Sequence, residues 1–528
     1  MSKLLPTITA FLLFNVVTFS NANTTVFTNV NVVPMTTDTV LKNQTVIVEG
    51  DRISAIYPTD KIEVPAGAEV IDGKGNYLMP GLADMHIHLF GWDPDPRHLN
   101  LYLAQGTTTI RSVGEANHML SWREQVRNGE LEGPTIYSSG RVIVGNDDNF
   151  LGFDMHILIF RMLIFMTPFL LGLVVYWVCR PLRSRRNILI ATPMLLIVSL
   201  ALTLTKTPNF AGLVPLLDPE LAHGYLAETP ARAVDEVRNQ HKLKVDGVKL
   251  YDGLTEEMFM GALAEAKKLG LYAHTHLPDQ MELQSILDAG VNEVLHLDEF
   301  NSFHWSKPND QVMADFMAGI EPKLDVSRIS HSVELMVRNK VALVSNLSAD
   351  EVAYQMILNT PKVLARPKYR VVRPKVIEMW KTQGRPITKW KQQGHYRGKE
   401  LSFFKTLLKS MQDAGVVITL GTDSARLMEG SLPGNIHREL ELLVESGFSH
   451  YEALIAGTKN AGIVVKRMGR DGNFGTVKAG QRADLLLLEG NPLEDVSQTR
   501  NRIGVMARGK WYTQEQLNQK VDSYVSDF

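Results

Sequence analysis

Six side chains in this 528-residue sequence have the types and the placement to hold metal ions. His86 and His88 sit two apart in ADMHIHL, Lys249 lies in DGVKLY, His274 in LYAHTH, His296 in EVLHLD and Asp423 in LGTDSA. Each stands at or near the C-terminal end of an aliphatic or β-branched run. Residues two apart on a strand share a face, so the His86 and His88 imidazoles can converge on one ion. Lys249 and His274 are 25 residues apart, and His274 and His296 are 22 apart. Each spacing suits one strand–helix unit. Singly these residues say little: a strand histidine is more often a hydrogen-bonded core residue, a strand lysine an exposed edge residue, and an Asp after Gly-Thr a turn or cap. The signal is the joint pattern, in order and at strand ends. The single cysteine, Cys179, excludes an internal disulfide and a Cys-based zinc cluster. Any ligands must then be His, Asp, Glu or a modified Lys, and 15 His are available.

The elements that would position them are eight short runs: 82–89, 107–113, 135–140, 247–251, 271–276, 291–297, 341–347 and 416–423. Helix-like stretches follow most of them, one near 229–241 and one opening at Ser449-x-x-Glu452, a capping-box pattern. Alternating strands and helices imply parallel βαβ units, and eight of them suggest a closed (β/α)8 TIM barrel over residues 80–474. Residues 23–79 and 475–517 read as strands and turns, which predicts one composite β-sandwich domain built from both chain ends. The expected class is therefore α/β.

The sequence resembles the amidohydrolase superfamily nearly end to end. The matching text is LMPGLADMHIHL, GVKLYDG, YAHTH, EVLHLD, LGTDSA, YEALIAGTKNAG and FGTVKAGQRADLLLLEGNPLEDV. It is nearest the imidazolonepropionase-like and Xaa-Pro-dipeptidase-like branch. The resemblance implies that His86, His88, Lys249, His274, His296 and Asp423 hold two divalent ions, expected to be zinc, with a carboxylated Lys249 bridging them. It favours His274 as ligand and leaves His276 near the ligands or facing substrate. Asp423 is then expected as general base and acid, and Tyr251 as a donor to the developing oxyanion. The expected reaction is hydrolysis of a C–N amide (peptide-like, cyclic or N-acyl amino acid). Leu277 replaces a Glu that deaminases of the superfamily often carry, and Leu297 replaces a Gly common after the strand-six His.

Two segments stand outside that pattern. Residues 1–22 have Lys3, an apolar stretch and a small-x-small end at Ser20-Asn21-Ala22, which reads as a secretory signal peptide. Residues 157–178 carry one charge, Arg161, and residues 188–204 carry none. Both are long enough for a spanning helix, and the loop between them holds Arg180, Arg183, Arg185 and Arg186. A positive loop stays inside. The sequence thus predicts a transmembrane hairpin at 155–206, inserted after the third barrel strand. The catalytic domain would lie outside the cytoplasm, at a bacterial inner membrane facing the periplasm. An amphipathic amide could then enter from the bilayer.

Lys+Arg total 55 against 57 Asp+Glu, a net charge of −2, which argues against a nucleic-acid partner. The basic stretch 365–399 reads either as solvated helices or as a lid over an acidic substrate or lipid headgroups. Two other functions fit the same residues: a lactone or phosphotriester hydrolase, and a catalytically inactive membrane-tethered binding protein.

Overall fold

The structure is a computed structural model that describes residues 24–89, 95–114, 118–145, 224–251, 253–278, 280–307, 311–312, 323–382, 397–424 and 431–528. Strands from both chain ends pair into one sheet. From the N-terminal side come β1 (Thr24–Val32), β2 (Leu41–Glu49), β3 (Arg52–Pro58), β4 (Glu69–Asp72) and β5 (Tyr77–Pro80). The C-terminal side gives β16 (Leu485–Leu488), β17 (Arg502–Ala507) and β18 (Lys510–Thr513). Their order is β18-β17-β16-β5-β1-β2-β3, with β4 on β1. The join is β16 antiparallel to β5, Leu486 opposite Met79. Alternate residues such as Val46, Val48, Leu78, Leu485 and Leu487 bury one face.

The barrel follows directly. Its strands are β6 (Leu82–Ile87), β7 (Thr107–Ser112), β8 (Thr135–Ser138), β9 (Val142–Val144), β11 (Gly247–Leu250), β12 (Tyr272–Thr275), β13 (Glu293–Leu295), β14 (Ala342–Val344) and β15 (Ile418–Thr419). All pairings are parallel. β8 and β9 form one stave broken at Gly140, whose φ of +65° only glycine adopts freely. β10 (Gly224–Leu226) adds an outer strand beside β9. Backbone bonds close both seams. Asp246 N donates to Ser138 O at 2.6 Å, and on the other side Asp423 N donates to His86 O at 2.8 Å. The result is an α/β fold of eight staves.

Each of the eight expected strands has an observed strand within it, but the strands are shorter than expected. The residues that trail off each strand, including His88, Tyr251, His276, His296 and Asp423, start the loops at the C-terminal rim. The expected helix runs from Pro230 to Lys242, and Ser449 with Glu452 forms the capping box. The chain continues past 517 into a helix, Gln514–Val525, which seats Leu517, Val521 and Tyr524 inside. Tyr524 Oη lies 2.5 Å from His98 Nε2 of a barrel helix.

Among the described residues no helix is long and apolar enough to cross a membrane. The signal at 1–22 lies outside them, as do the two apolar segments, 157–178 and 188–204. Three described arginines of the 365–399 stretch are tied to other parts of the chain. Arg366 bonds Gln355 at 2.7 Å, Arg370 pairs with Asp522 at 2.7 Å, and Arg373 reaches Asp95 at 3.6 Å.

Candidate metal and active site

β6 delivers His86 and His88, and the turn after β15 delivers Asp423. All three are buried, and they offer ligand atoms within 4.8 Å of one another. His88 Nε2 is 2.8 Å from Asp423 Oδ1, His86 Nε2 is 3.5 Å from it, and the two Nε2 atoms are 3.1 Å apart. Asp84, fully buried, locks the two elements together. It accepts from Thr422 N at 3.0 Å and Thr422 Oγ1 at 2.6 Å. Burial pushes the Asp84 carboxyl up to about 7, against the pull of those bonds.

The other predicted residues extend outward from this trio. The His296 ring lies 4.5 Å from the His86 ring. His276 lies 5.0 Å from His296 and 4.1 Å from the Tyr251 ring. Lys249 Nζ sits 4.8 Å from the Tyr251 ring centre. His274 is register partner to Lys249 on the neighbouring strand, so both point to the same side. His274 is not among the three clustered ligand candidates; its ring lies 6.1 Å from that of Tyr272. The Arg111–Glu293 ion pair, 2.6 Å and wholly buried, fills the barrel in the same region. Burial first, then the Arg111 and Lys249 charges, hold the His274 imidazole well below the usual histidine range. Burial does the same for His86, helped by His296 and Lys249 and opposed by Asp423. A lowered pKa favours the neutral imidazole, the form that ligates.

The donor set fits a divalent cation. Neither ring nitrogen of buried His274 has a hydrogen-bond partner, nor does Nδ1 of His86. An orphaned buried nitrogen costs about 1–3 kcal/mol, so each of these calls for a partner. Imidazoles with a carboxylate are the ligands that suit zinc-like ions.

Sequence reasoning missed two groups at the rim. Glu299, on a short turn after β13, places Oε1 2.7 Å from His276 Nδ1 and accepts from Leu277 N through Oε2 at 2.7 Å. Position 277 carries no carboxylate of its own, but Glu299 brings one to it. The second missed group is Asn346, at the end of β14. Leu297, the departure after His296, is fully buried in the main apolar core.

The model of the amidohydrolase family matches residues 252–512. That stretch, just under half of the chain, is similar to amidohydrolase sequence. It includes His274, His296 and Asp423, while His86, His88 and Lys249 lie before it. An enamidase of Eubacterium barkeri is 35% identical over 80 residues, which is 14% of this chain and 21% of that protein. The aligned region is thus about a fifth of that relative's length. Among solved structures, a Xaa-Pro dipeptidase with bound methionine in its active site superposes with a TM-score of 0.59 at 18% identity, covering 93% of this chain and 100% of that one. A bottromycin amidohydrolase gives 0.61 at 16% identity, covering 96% and 90%. These likenesses show that the barrel and the terminal sheet share the fold of those two structures.

Proposed function

We propose that the protein is a metal-dependent hydrolase of C–N amides, acting on a peptide-like, cyclic or N-acyl amide. The observation that carries this reading is the buried His86–His88–Asp423 cluster at the C-terminal rim, the face where barrels of this type keep their active sites. The amidohydrolase match over 252–512 and the amide-cleaving neighbours support the bond class. His86, His88, His274, His296, Asp423 and a carboxylated Lys249 would hold two divalent ions, zinc by the nature of the donors. When bound, such ions supply Lewis acidity to the scissile carbonyl and acidity to the attacking water.

The chain's own residues do the rest. The Asp423 carboxylate takes the proton of the attacking water and delivers it to the amine nitrogen as the C–N bond breaks. The Tyr251 phenol donates to the carbonyl oxygen as charge develops there. His276, held by Glu299 and stacked near Tyr251, orients the leaving side of the substrate. A panel of dipeptides, N-acyl amino acids, cyclic amides, lactones and phosphotriesters tests the bond class. Turnover of at least one amide class is expected, at least tenfold above any lactone or phosphotriester. Turnover confined to the esters would overturn the reading.

We further propose that residues 157–178 and 188–204 tether this body to a membrane, with the barrel outside the cytoplasm. The support is their apolar length and the arginines between them. Full-length protein should resist alkaline carbonate extraction from membranes, and a chain lacking 155–206 should be released. Equal release of both would refute the tether.

A further inference from the structure

Asn346 is a fully buried side chain with neither amide atom bonded: Nδ2 and Oδ1 both lack a hydrogen-bond partner. It sits in the left-handed region, φ 51° and ψ 19°, at the N-cap of the 18-residue helix Leu347–Leu364. An asparagine there ordinarily bonds the first free N–H groups of its helix. Here it does not, because a different side chain has taken that work. Glu439, buried on another helix, accepts from Leu347 N at 3.0 Å, Ser348 N at 2.6 Å and Ser345 Oγ at 2.5 Å. The capping demand is met, and the Asn346 carboxamide is left over.

Its direction is given by Gly421, one stave away. A Cβ on Gly421 would fall 2.8 Å from Asn346 Nδ2 and 2.8 Å from His86 Cβ. The amide therefore points into the barrel beside the strand that carries His86, in space that exists because residue 421 has no side chain. A buried, unpartnered polar group held in a strained backbone conformation calls for an explanation, and a ligand contact supplies one.

We propose that Asn346 binds substrate, its Nδ2 donating to a carbonyl or carboxylate oxygen of the amide held at the rim. This rests on the amide-hydrolase reading and names a substrate-contacting residue for it. The contact is made to substrate and requires no change in the ligand set.

Two variants test this, and glycine and aspartate both tolerate the left-handed region. Asn346→Gly removes the amide, and Asn346→Asp keeps the shape but replaces the donor with a negative charge. Asn346→Gly should retain wild-type melting temperature and bound metal, which separates the loss of the amide from the cost of burying the Asp charge. Each should lose about 10²-fold in kcat/KM on the best amide of the panel, with Asp at least as impaired as Gly. The same ordering should appear in the affinity of metal-loaded protein for a phosphinate dipeptide analogue, measured by calorimetry. Wild-type turnover and binding in Asn346→Gly, or an Asp variant as active as wild type, would overturn the assignment. If the wild type cleaves no amide at all, the functional reading fails. Equal analogue binding by wild type and Asn346→Gly separately defeats the Asn346 proposal.

Discussion

Three rim residues, His296, Asn346 and Asp423, hold positive φ values of 73°, 51° and 51° at the ends of three successive staves. Such conformations cost about 1–3 kcal/mol each in a residue with a side chain, and they persist where neighbouring structure over-determines them. For Asp423 the over-determining contact is visible: Asp84 grips the preceding Thr422 through two hydrogen bonds. Asp84 also makes a pH prediction. Its folded pKa of about 7 lies above its ordinary value of 3.8, so between those limits the folded state holds more protons than the unfolded one. Stability from this group is full below about pH 4 and is lost as pH rises through about 7. In metal-stripped protein, the melting temperature of wild type relative to Asp84→Asn should fall across that window. A flat difference would contradict the assignment. Residue type and spacing made the six ligand candidates legible in the sequence. Glu299, Asp84 and Asn346 were not legible, because each draws its meaning from a partner that only the fold brings near: His276, Thr422 and Glu439.

At the scale of elements, barrel closure sets the precision of the site. β15 is only two residues long, and its stave is continued by backbone bonds to β6. Gly421 lies in that continuation, and its neighbours leave no room. An added Cβ would meet Val344 Cγ1 at 2.4 Å as well as Asn346 and His86. Gly421→Ala should destabilise the protein by about 1–3 kcal/mol in urea unfolding and weaken metal retention together, since it pushes on the His86 strand. Unchanged stability with unchanged metal would show that the stave is looser than described. The β-branched runs located all eight staves, because strand periodicity and helix spacing are local signals. They did not show the break at Gly140, which follows from one residue's φ, nor the outer strand Gly224–Leu226. The capping box at Ser449 was readable because its two partners are three residues apart in the chain.

For the molecule as a whole, the sheet from both termini and the barrel share one continuous path: β5 runs into β6 through Gly81 alone, and β16 returns to pair with β5. The tail helix then docks on a barrel helix through Tyr524 and His98. Sequence pattern foresaw strands at both ends but placed the boundary at 517. The tail beyond it carries the amphipathic spacing of Leu517, Val521 and Tyr524. The claim on which the account turns is that dispersed strand-end residues of this architecture bind metal together. Elemental analysis of purified protein beside His86→Ala tests it most directly. About two divalent ions per wild-type chain are expected, with metal and amide hydrolysis lost together in His86→Ala. Wild-type protein that holds no metal after refolding with zinc, or His86→Ala that keeps both ions and full activity, would contradict it.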